Sequence, residues 1–321
     1  MRKIVVVTPV KNEEWILERF LTVTSLFADH ILVADQQSVD RSRVICARFP
    51  KVHVVENNSP TYDENHRQRL LLDSARKLVP EERFILALDA DEILAADGLS
   101  VPAWSAIHSA APGTGFYFEK PDLMPSLTAC RRGKTFFPLG FVDDNAKQTG
   151  KLIHSMRIPL RTGHARIEMP EVKFIHLALV RPAEYRARQR HYSVIENVNR
   201  TKSLRQRLAY YSPAVYESAL YANTDAVPPS WFQGWLQRGI SFETFPSTEL
   251  NQYNQQVLAH LNTHGAARFF YDDIWDIDWA ELAARLRHSS WSNDAAAFCR
   301  PRWYHHTVRR CLIRLLRLRH L

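Results

Sequence analysis

The chain has 321 residues, of which 45% are hydrophobic and 24% charged, and it carries a formal net charge of +8. A chain of that size buries a full core, and that balance excludes a disordered or low-complexity protein. No apolar run approaches the ~18 residues of a membrane-spanning helix, and Cys46, Cys130, Cys299 and Cys311 form neither a CxxC pair nor a zinc spacing.

The opening, MRKIVVVTPVKNEEW, regains charge too early for a secretory leader, which predicts a cytoplasmic protein with reduced thiols. Residues 4–7 are a β-branched strand that stops at Thr8-Pro9. A helix is predicted over 13–27, with Asn12 as N-cap and Glu13 and Glu14 in its first turn. Residues 30–34 form a second buried strand, ended by Asp35, and a short helix over 40–49 leads to a third strand over 52–55. An amphipathic helix over 65–78 carries Arg67, Arg69, Arg76 and Lys77. The run 84–88 then reads as a strand buried on both faces and ends in Asp89-Ala90-Asp91-Glu92, three carboxylates in four residues. One reading of that cluster is a solvated acidic turn. The other is a site for an oxygen-ligated Mg²⁺ or Mn²⁺ that keeps positions open for a diphosphate.

This β-α-β-α-β-α-β alternation predicts a mixed, mostly parallel sheet with helices on both faces. Ligands of such sheets bind beyond the carboxyl ends of the strands, and the polar residues Thr8 to Glu13, Asp35 and Asp89 to Glu92 all follow strands. Later come a helix over 101–110, a strand over 115–119, strands and loops over 128–144, and a β-rich segment over 172–180 interrupted by His176. Beyond Pro182 the chain reads as helical, over 182–207, 213–222, 229–239, 248–264 and 279–288. A catalytic domain over 1–180 and a helical region over 181–321 follow from that change. At the end, 304–321 is a basic amphipathic helix, with Val308, Leu312, Leu315, Leu316 and Leu318 on one side and Arg310, Arg314 and Arg317 opposite. It either docks on the body or lies on an anionic membrane.

TPVKNEEWI, ILVADQQSVDRS and LALDADEIL, in that order, resemble the pattern of family 2 glycosyltransferases, which have the GT-A fold. The resemblance covers residues 3–94. Asp35 to Asp40 is similar to the family's Asp-Asp-Gly-Ser-x-Asp, and Asp89-Ala90-Asp91 to its DXD motif. Gln36 and Gln37 depart from it, the latter replacing a glycine at a position suited to positive φ. The resemblance implies that Thr8 and Pro9 line the base, Asp35 accepts from the uracil ring edge, and Glu13 lies near base or ribose. It implies that Asp89 approaches ribose or metal, Asp91 ligates Mn²⁺ or Mg²⁺, and Arg67 lies near the nucleotide. A catalytic base is sought after the DXD, at Asp144 or Asp143 in GFVDDNAKQTG, where the alternative is a solvated turn. His176 fits a third metal or diphosphate contact, against the alternative of a core histidine; His154 fits less well. Arg157 and Arg161 are phosphate contacts or solvated arginines.

The implied function is inverting transfer of a sugar from a nucleotide sugar, with UDP favoured, to a saccharide or lipid-linked acceptor in cell-envelope polysaccharide or lipopolysaccharide synthesis. No nucleic-acid partner is expected. A nucleotidyltransferase is the first rival, but the loop after the first strand has no glycine. A non-catalytic anion- or nucleic-acid-binding protein is the second, and it leaves the strand-end carboxylates unexplained. A dinucleotide oxidoreductase lacks its GxGxxG.

Overall fold

The structure, a computed structural model, describes residues 1–59, 62–246, 251–286 and 298–317. Strand β1 (Lys3–Val10), helix α1 (Glu14–Thr24), β2 (His30–Asp35), α2 (Ser42–Cys46), β3 (Val52–Glu56), α3 (Glu64–Leu78) and β4 (Arg83–Ala87) alternate as expected. There follow β5 (Glu92–Leu94), α4 (Ala106–Ser109), β6 (Gly115–Glu119), β7 (Asp122–Leu123), β8 (Ala129–Arg131), β9 (Phe137–Val142) and β10 (Arg166–His176). The later elements are α5 (Pro182–Val198), α6 (Leu204–Tyr211), α7 (Pro213–Tyr221), β11 (Asp225–Ala226), α8 (Ser230–Leu236), α9 (Gln252–His264), α10 (Trp279–Leu286) and α11 (Trp303–Arg317).

The strands form one mixed sheet in the order β11-β8-β7-β10-β6-β9-β4-β1-β2-β3, with β5 paired to β10. β4, β1, β2 and β3 are parallel, and β9 runs antiparallel between β4 and β6. Alternate residues of each central strand enter different cores because strand side chains point to opposite faces in turn. Val6, Ile31, Val33, Phe84 and Leu86 pack with Ile16, Leu17 and Phe20 of α1. Val5, Val7, Leu32, Ala34, Ile85 and Ala87 pack with Leu71, Leu72 and Ala75 of α3. Helices therefore cover both faces, and the apolar runs of β1 and β4 have that cause. Gly140 of β9 lies against the Phe84 ring, and a Cβ there would fall inside the ring's van der Waals envelope.

The chain divides into two compact units, Met1–Val180 with Asp225–Phe245, and Arg181–Thr224 with Pro246–Leu321. The sequence boundary at 180 differs in one segment, since 225–245 belongs with the sheet. β11 pairs with β8, Trp231 and Trp235 are buried in the first unit's core, and Trp235 Nε1 donates to Leu94 O at 2.8 Å.

Other boundaries also differ. The helix expected over 182–207 is two helices, because Ser203 and Gln206 form a capping box that starts α6. The β-rich segment begins earlier, at Arg166, and His176 is its last residue, after which Leu177 N turns to donate to Asp91 O at 2.8 Å. Asn12 does not cap α1; its φ is +56° and its Oδ1 accepts from Val39 N. Residues 248–250 and 287–288 of two expected helices lie outside the described residues. The second unit has its own core, built on Val194, Val257, Leu258, Leu261, Phe269 and Trp279. A smaller cluster of Leu208, Val215, Ile313 and Leu316 joins α6, α7 and α11. The apolar side expected for 304–321 is thus divided: Leu316 faces the body with Ile313, whereas Val308 and Leu315 are exposed. Leu318 lies outside the described residues.

Candidate functional site

The loops after β1 and β2 hold each other. Asn12 N donates to Ser38 Oγ at 2.9 Å and Glu13 N to Ser42 Oγ at 2.9 Å. Asp40 accepts from Glu14 N at 3.0 Å and Ser42 N at 2.9 Å, so one carboxylate serves the first turns of both α1 and α2. This bracing fixes the end of β2, where Asp35 is 3% exposed. Asp35 accepts from Ser38 N at 3.4 Å, and Arg43 Nε lies 3.8 Å from it. Lys11 is half-buried nearby; burial lowers its pKa, and the charge of Asp35 works against that shift.

Beyond β4 a denser cluster forms. Glu92 is fully buried. It accepts from Arg157 Nη1 at 2.6 Å and Nη2 at 3.0 Å, from Lys120 Nζ at 3.0 Å and from Asp89 N at 3.0 Å. Arg157 Nη2 also reaches Asp89 Oδ2 at 2.5 Å. Burial by itself would raise the Glu92 pKa; Arg157 and Lys120 outweigh it and hold the carboxyl well below the usual range. Burial likewise opposes the Arg157 charge, and Asp89 and Glu92 overcome it, so the guanidinium pKa is raised. Glu92 is therefore an anchor for two cations, with no capacity left to serve as a base or a ligand.

Asp91 and His176 meet beside this anchor because β5 pairs antiparallel with β10, placing His176 opposite Glu92. His176 Nδ1 lies 2.7 Å from Asp122 Oδ1. Burial pushes the Asp122 pKa up, and the contacts with His176, Lys120 and Arg131 together more than offset this, so Asp122 is an ionised acceptor and Nδ1–H is the donor. Nε2 then points toward Asp91 Oδ2 at 3.7 Å. That arrangement, carboxylate to imidazole to a second carboxylate, orients a histidine to bind a cation.

Among the described residues, no three His, Cys, Asp or Glu side chains converge closely enough to hold a metal unaided. Asp91 and His176 with Asp122 behind them are a donor set that suits Mn²⁺ or Mg²⁺ only when further oxygens come from a ligand.

No protein-family model matches the chain, and no curated protein does. Several solved structures are similar to parts of it. A 4-diphosphocytidyl-2C-methyl-D-erythritol synthase matches at 16% identity over 44% of this chain and 76% of that one, with a TM-score of 0.28. HddC from Yersinia pseudotuberculosis matches at 10% identity over 55% of this chain and 93% of that one, with a TM-score of 0.35. Glucosyl-3-phosphoglycerate synthase from Mycobacterium tuberculosis, in complex with Mn²⁺, UDP and glucosyl-3-phosphoglycerate, matches at 18% identity and a TM-score of 0.25. That match covers 38% of this chain and 44% of the synthase. Superpositions this partial identify neither a family nor a reaction.

The residues expected at the site divide into three groups. Asp89, Asp91 and His176 come together, and Asp35 ends a strand two places along the sheet, about 10 Å away at the usual strand spacing. Pro9, Glu13 and Arg67 sit at the same end with other partners. Pro9 is paired in the ladder with Ala34, Glu13 accepts from Trp15 Nε1 at 2.7 Å, and Arg67 lies 5.3 Å over the Tyr62 ring. Thr8 is wholly buried and its Oγ1 has no hydrogen-bond partner among the described residues, so its side chain does not present itself to a base.

Asp143 and Asp144 are misplaced for catalysis. β9 runs antiparallel to β4, so they follow its end beside Arg83, the first residue of β4, about 20 Å along the extended chain from Asp89. Asp143 is clamped by Arg76 and Arg83, and Asp144 pairs with Arg161 at 2.6 Å. His154 is exposed.

Sequence reasoning passed over Lys120 and Asp122. Lys120-Pro121-Asp122 directly follows β6, the same strand-end signal that marked Asp35 and Asp89. Arg157 was read as a phosphate contact or a solvated arginine, and it is instead paired with Asp89 and Glu92.

Proposed function

We propose that the chain is a metal-assisted glycosyltransferase. It moves a sugar from a nucleotide sugar, with UDP as nucleotide, to a hydroxyl of a saccharide or lipid-linked acceptor, with inversion. Cell-surface polysaccharide or lipopolysaccharide synthesis is the setting that such an acceptor fits. The observation that carries this reading is the Asp122–His176–Asp91 arrangement at the carboxyl end of β4, on the same sheet end as the buried Asp35.

Asp91 and His176 would hold Mn²⁺ or Mg²⁺. When bound, such an ion offsets the charge that grows on the diphosphate as the glycosidic bond breaks. The chain's own part is to keep that region cationic and ordered. Glu92 holds Arg157 and Lys120 in place, and the braced loops over 12–14 and 38–42 would hold Asp35 for a ring N–H to donate to it. Inversion also needs a base opposite the leaving group, and Asp143 and Asp144 do not supply it.

Titration calorimetry of UDP with and without Mn²⁺, on the wild type and Asp91→Ala, tests this reading. Metal-dependent binding that disappears in the variant supports it. No UDP binding, or binding indifferent to both metal and Asp91, overturns it. Sugar release from UDP-sugars, against pyrophosphate release from UTP and a sugar phosphate, separates it from a nucleotidyltransferase.

The outer face of α11 supports a second contact, with an anionic lipid surface. Trp303, Val308 and Leu315 are 77%, 43% and 60% exposed, and the exposed Arg310, Arg314 and Arg317 flank them. No helix among the described residues is long and apolar enough to cross a membrane. Sedimentation with phosphatidylglycerol vesicles, weakened by Leu315→Asp and absent with phosphatidylcholine, is the expected result.

A further inference from the structure

The second unit carries a basic cavity that the proposed transfer reaction does not use. Its volume is about 670 Å³, and Asn197, Arg200, Lys202, Ser203, Arg207 and Arg268 line it. It forms where α5 ends and α6 begins, across from the turn Ala266–Phe269.

Two of its four cations are matched by carboxylates beneath. Lys202 Nζ pairs with the buried Glu196, and Arg207 Nε lies 2.6 Å from the buried Asp272. Arg200 and Arg268 are not matched. Arg268 donates to neutral acceptors alone: Nε to Asn197 Oδ1, and Nη2 to Asn197 O and Val198 O, each at 3.1 Å. Those contacts pin the guanidinium to the carbonyl end of α5 and leave Nη1 without an acceptor among the described residues. Arg200 has φ +55° and is exposed, with no side-chain partner among the described residues. Among the described residues, no carboxylate lines the cavity.

The positive end of α6 adds to this. Ser203 Oγ is taken up by Gln206 N, while the first amides of the helix, at Leu204 and Arg205, have no intrahelical acceptor. A fixed guanidinium, a free one, an ammonium and a helix start in one concavity are donors only. Anions with several acceptor oxygens satisfy such a set, and phosphate does so best.

We propose that this cavity binds a phosphate group carried by a larger molecule. The volume exceeds one phosphate and falls in the range of small-molecule sites, so the phosphate arrives on a sugar, a polyol or a lipid headgroup.

The test is titration of the full chain with inorganic phosphate, glucose 6-phosphate and vesicles containing phosphatidic acid. The variants are Arg200→Gln, Arg200→Gln/Arg268→Gln, Arg205→Gln and Asp91→Ala. Arg205 is exposed on the same helix and outside the lining, so it controls for general charge. Arg200→Gln removes a side chain that holds nothing else, which separates binding from folding.

A loss of about tenfold or more in affinity for Arg200→Gln and the double variant is expected, the effect of removing charge-assisted hydrogen bonds. Arg205→Gln and Asp91→Ala stay within about threefold, the Asp91 result placing the phosphate away from the strand-end site. Binding of glucose 6-phosphate without vesicle binding identifies a soluble phosphate ester. Arg200-dependent vesicle binding alone identifies a headgroup, and both results sustain the proposal. It is overturned if no probe binds, if Arg205→Gln weakens binding as much as Arg200→Gln, or if vesicle binding depends on Leu315 and not on Arg200.

Discussion

The two ends of β4 carry similar chemistry with different outcomes. At its start, the Asp143 side chain is 0% exposed and receives Arg76 Nε at 3.0 Å, Arg76 Nη2 at 2.8 Å and Arg83 Nε at 2.7 Å. At its far end Asp89 and Glu92 share Arg157, while Asp91 faces His176 across 3.7 Å. The first carboxylate is saturated by direct, short, paired bonds. At the second end, Arg157 and Lys120 take up Glu92, while Asp91 lies 3.7 Å from the edge of an imidazole whose other nitrogen is held by Asp122. Acidic residues in short succession mark both places in the sequence. What separates the two ends is the kind of partner: two arginines clamp Asp143, whereas a histidine braced by a second carboxylate faces Asp91.

The largest expected effect breaks the saturated end. Asp143→Ala leaves two arginines, 16% and 5% exposed, without their shared partner. Removing one member of a buried pair costs about 3–5 kcal/mol, read as a fall in urea midpoint. Any activity lost should return in proportion to the folded fraction. The pH dependence follows from the same pair. Burial raises the Asp143 pKa, and Arg76 and Arg83 more than reverse that, so the folded value lies below the unfolded one. Its contribution is complete above the unfolded carboxylate pKa of about 4 and is lost as pH falls through the folded value. Asp143→Asn should therefore flatten the acid limb of stability measured below about pH 5.

At the other end the same substitution should act in the opposite manner. Asp91→Ala is expected to lower UDP-sugar turnover by about 10²–10³, the scale for loss of one preorganised charge-stabilising contact. Its unfolding midpoint should fall less than that of Asp143→Ala, since Asp143 sits in a two-arginine clamp while Asp91 lies 3.7 Å from His176 Nε2. A large stability loss with metal binding intact would assign Asp91 to structure. Asp122→Asn is a smaller change. It keeps a hydrogen bond to His176 and removes the charge that fixes the ring, so Mn²⁺ affinity should fall by about 10–100-fold. Calorimetry with Mn²⁺ and UDP together checks it.

Much of this contrast was legible before any coordinates. The buried run 84–88 and the strand-end acids marked the candidate end of the sheet, because both depend on local pattern alone. The position of Asp143 was not legible. It turns on β9 entering antiparallel between β4 and β6, a pairing between segments about fifty residues apart that no local pattern states. Lys120 and Asp122 were readable by the strand-end rule already in use, and so was the Ser203–Gln206 capping box that breaks the long helix. The return of β11 to β8 was beyond reach, since a two-residue strand has no period to detect.

The smallest expected effect concerns the loop after β2. Gln37 stands where the resembled pattern has glycine, and its φ is +55°. A left-handed backbone costs a residue with a Cβ about 1–2 kcal/mol, while glycine gives back about 0.5–1 kcal/mol through its looser unfolded chain. Gln37→Gly should thus raise stability by about 0.5–1 kcal/mol, and Gln37→Val, β-branched in the same well, should lower it. The Gln37 side chain is exposed, while the bonds that brace the loop come from Asn12, Ser38 and Asp40. UDP affinity should then be the same in Gln37→Gly as in the wild type. If the glycine variant is more stable but binds UDP differently, residue 37 touches the nucleotide and the binding site extends to the loop after β2. If stability falls instead, the Gln37 side chain holds a contact that offsets its strain, and the loop is braced by more than its backbone bonds.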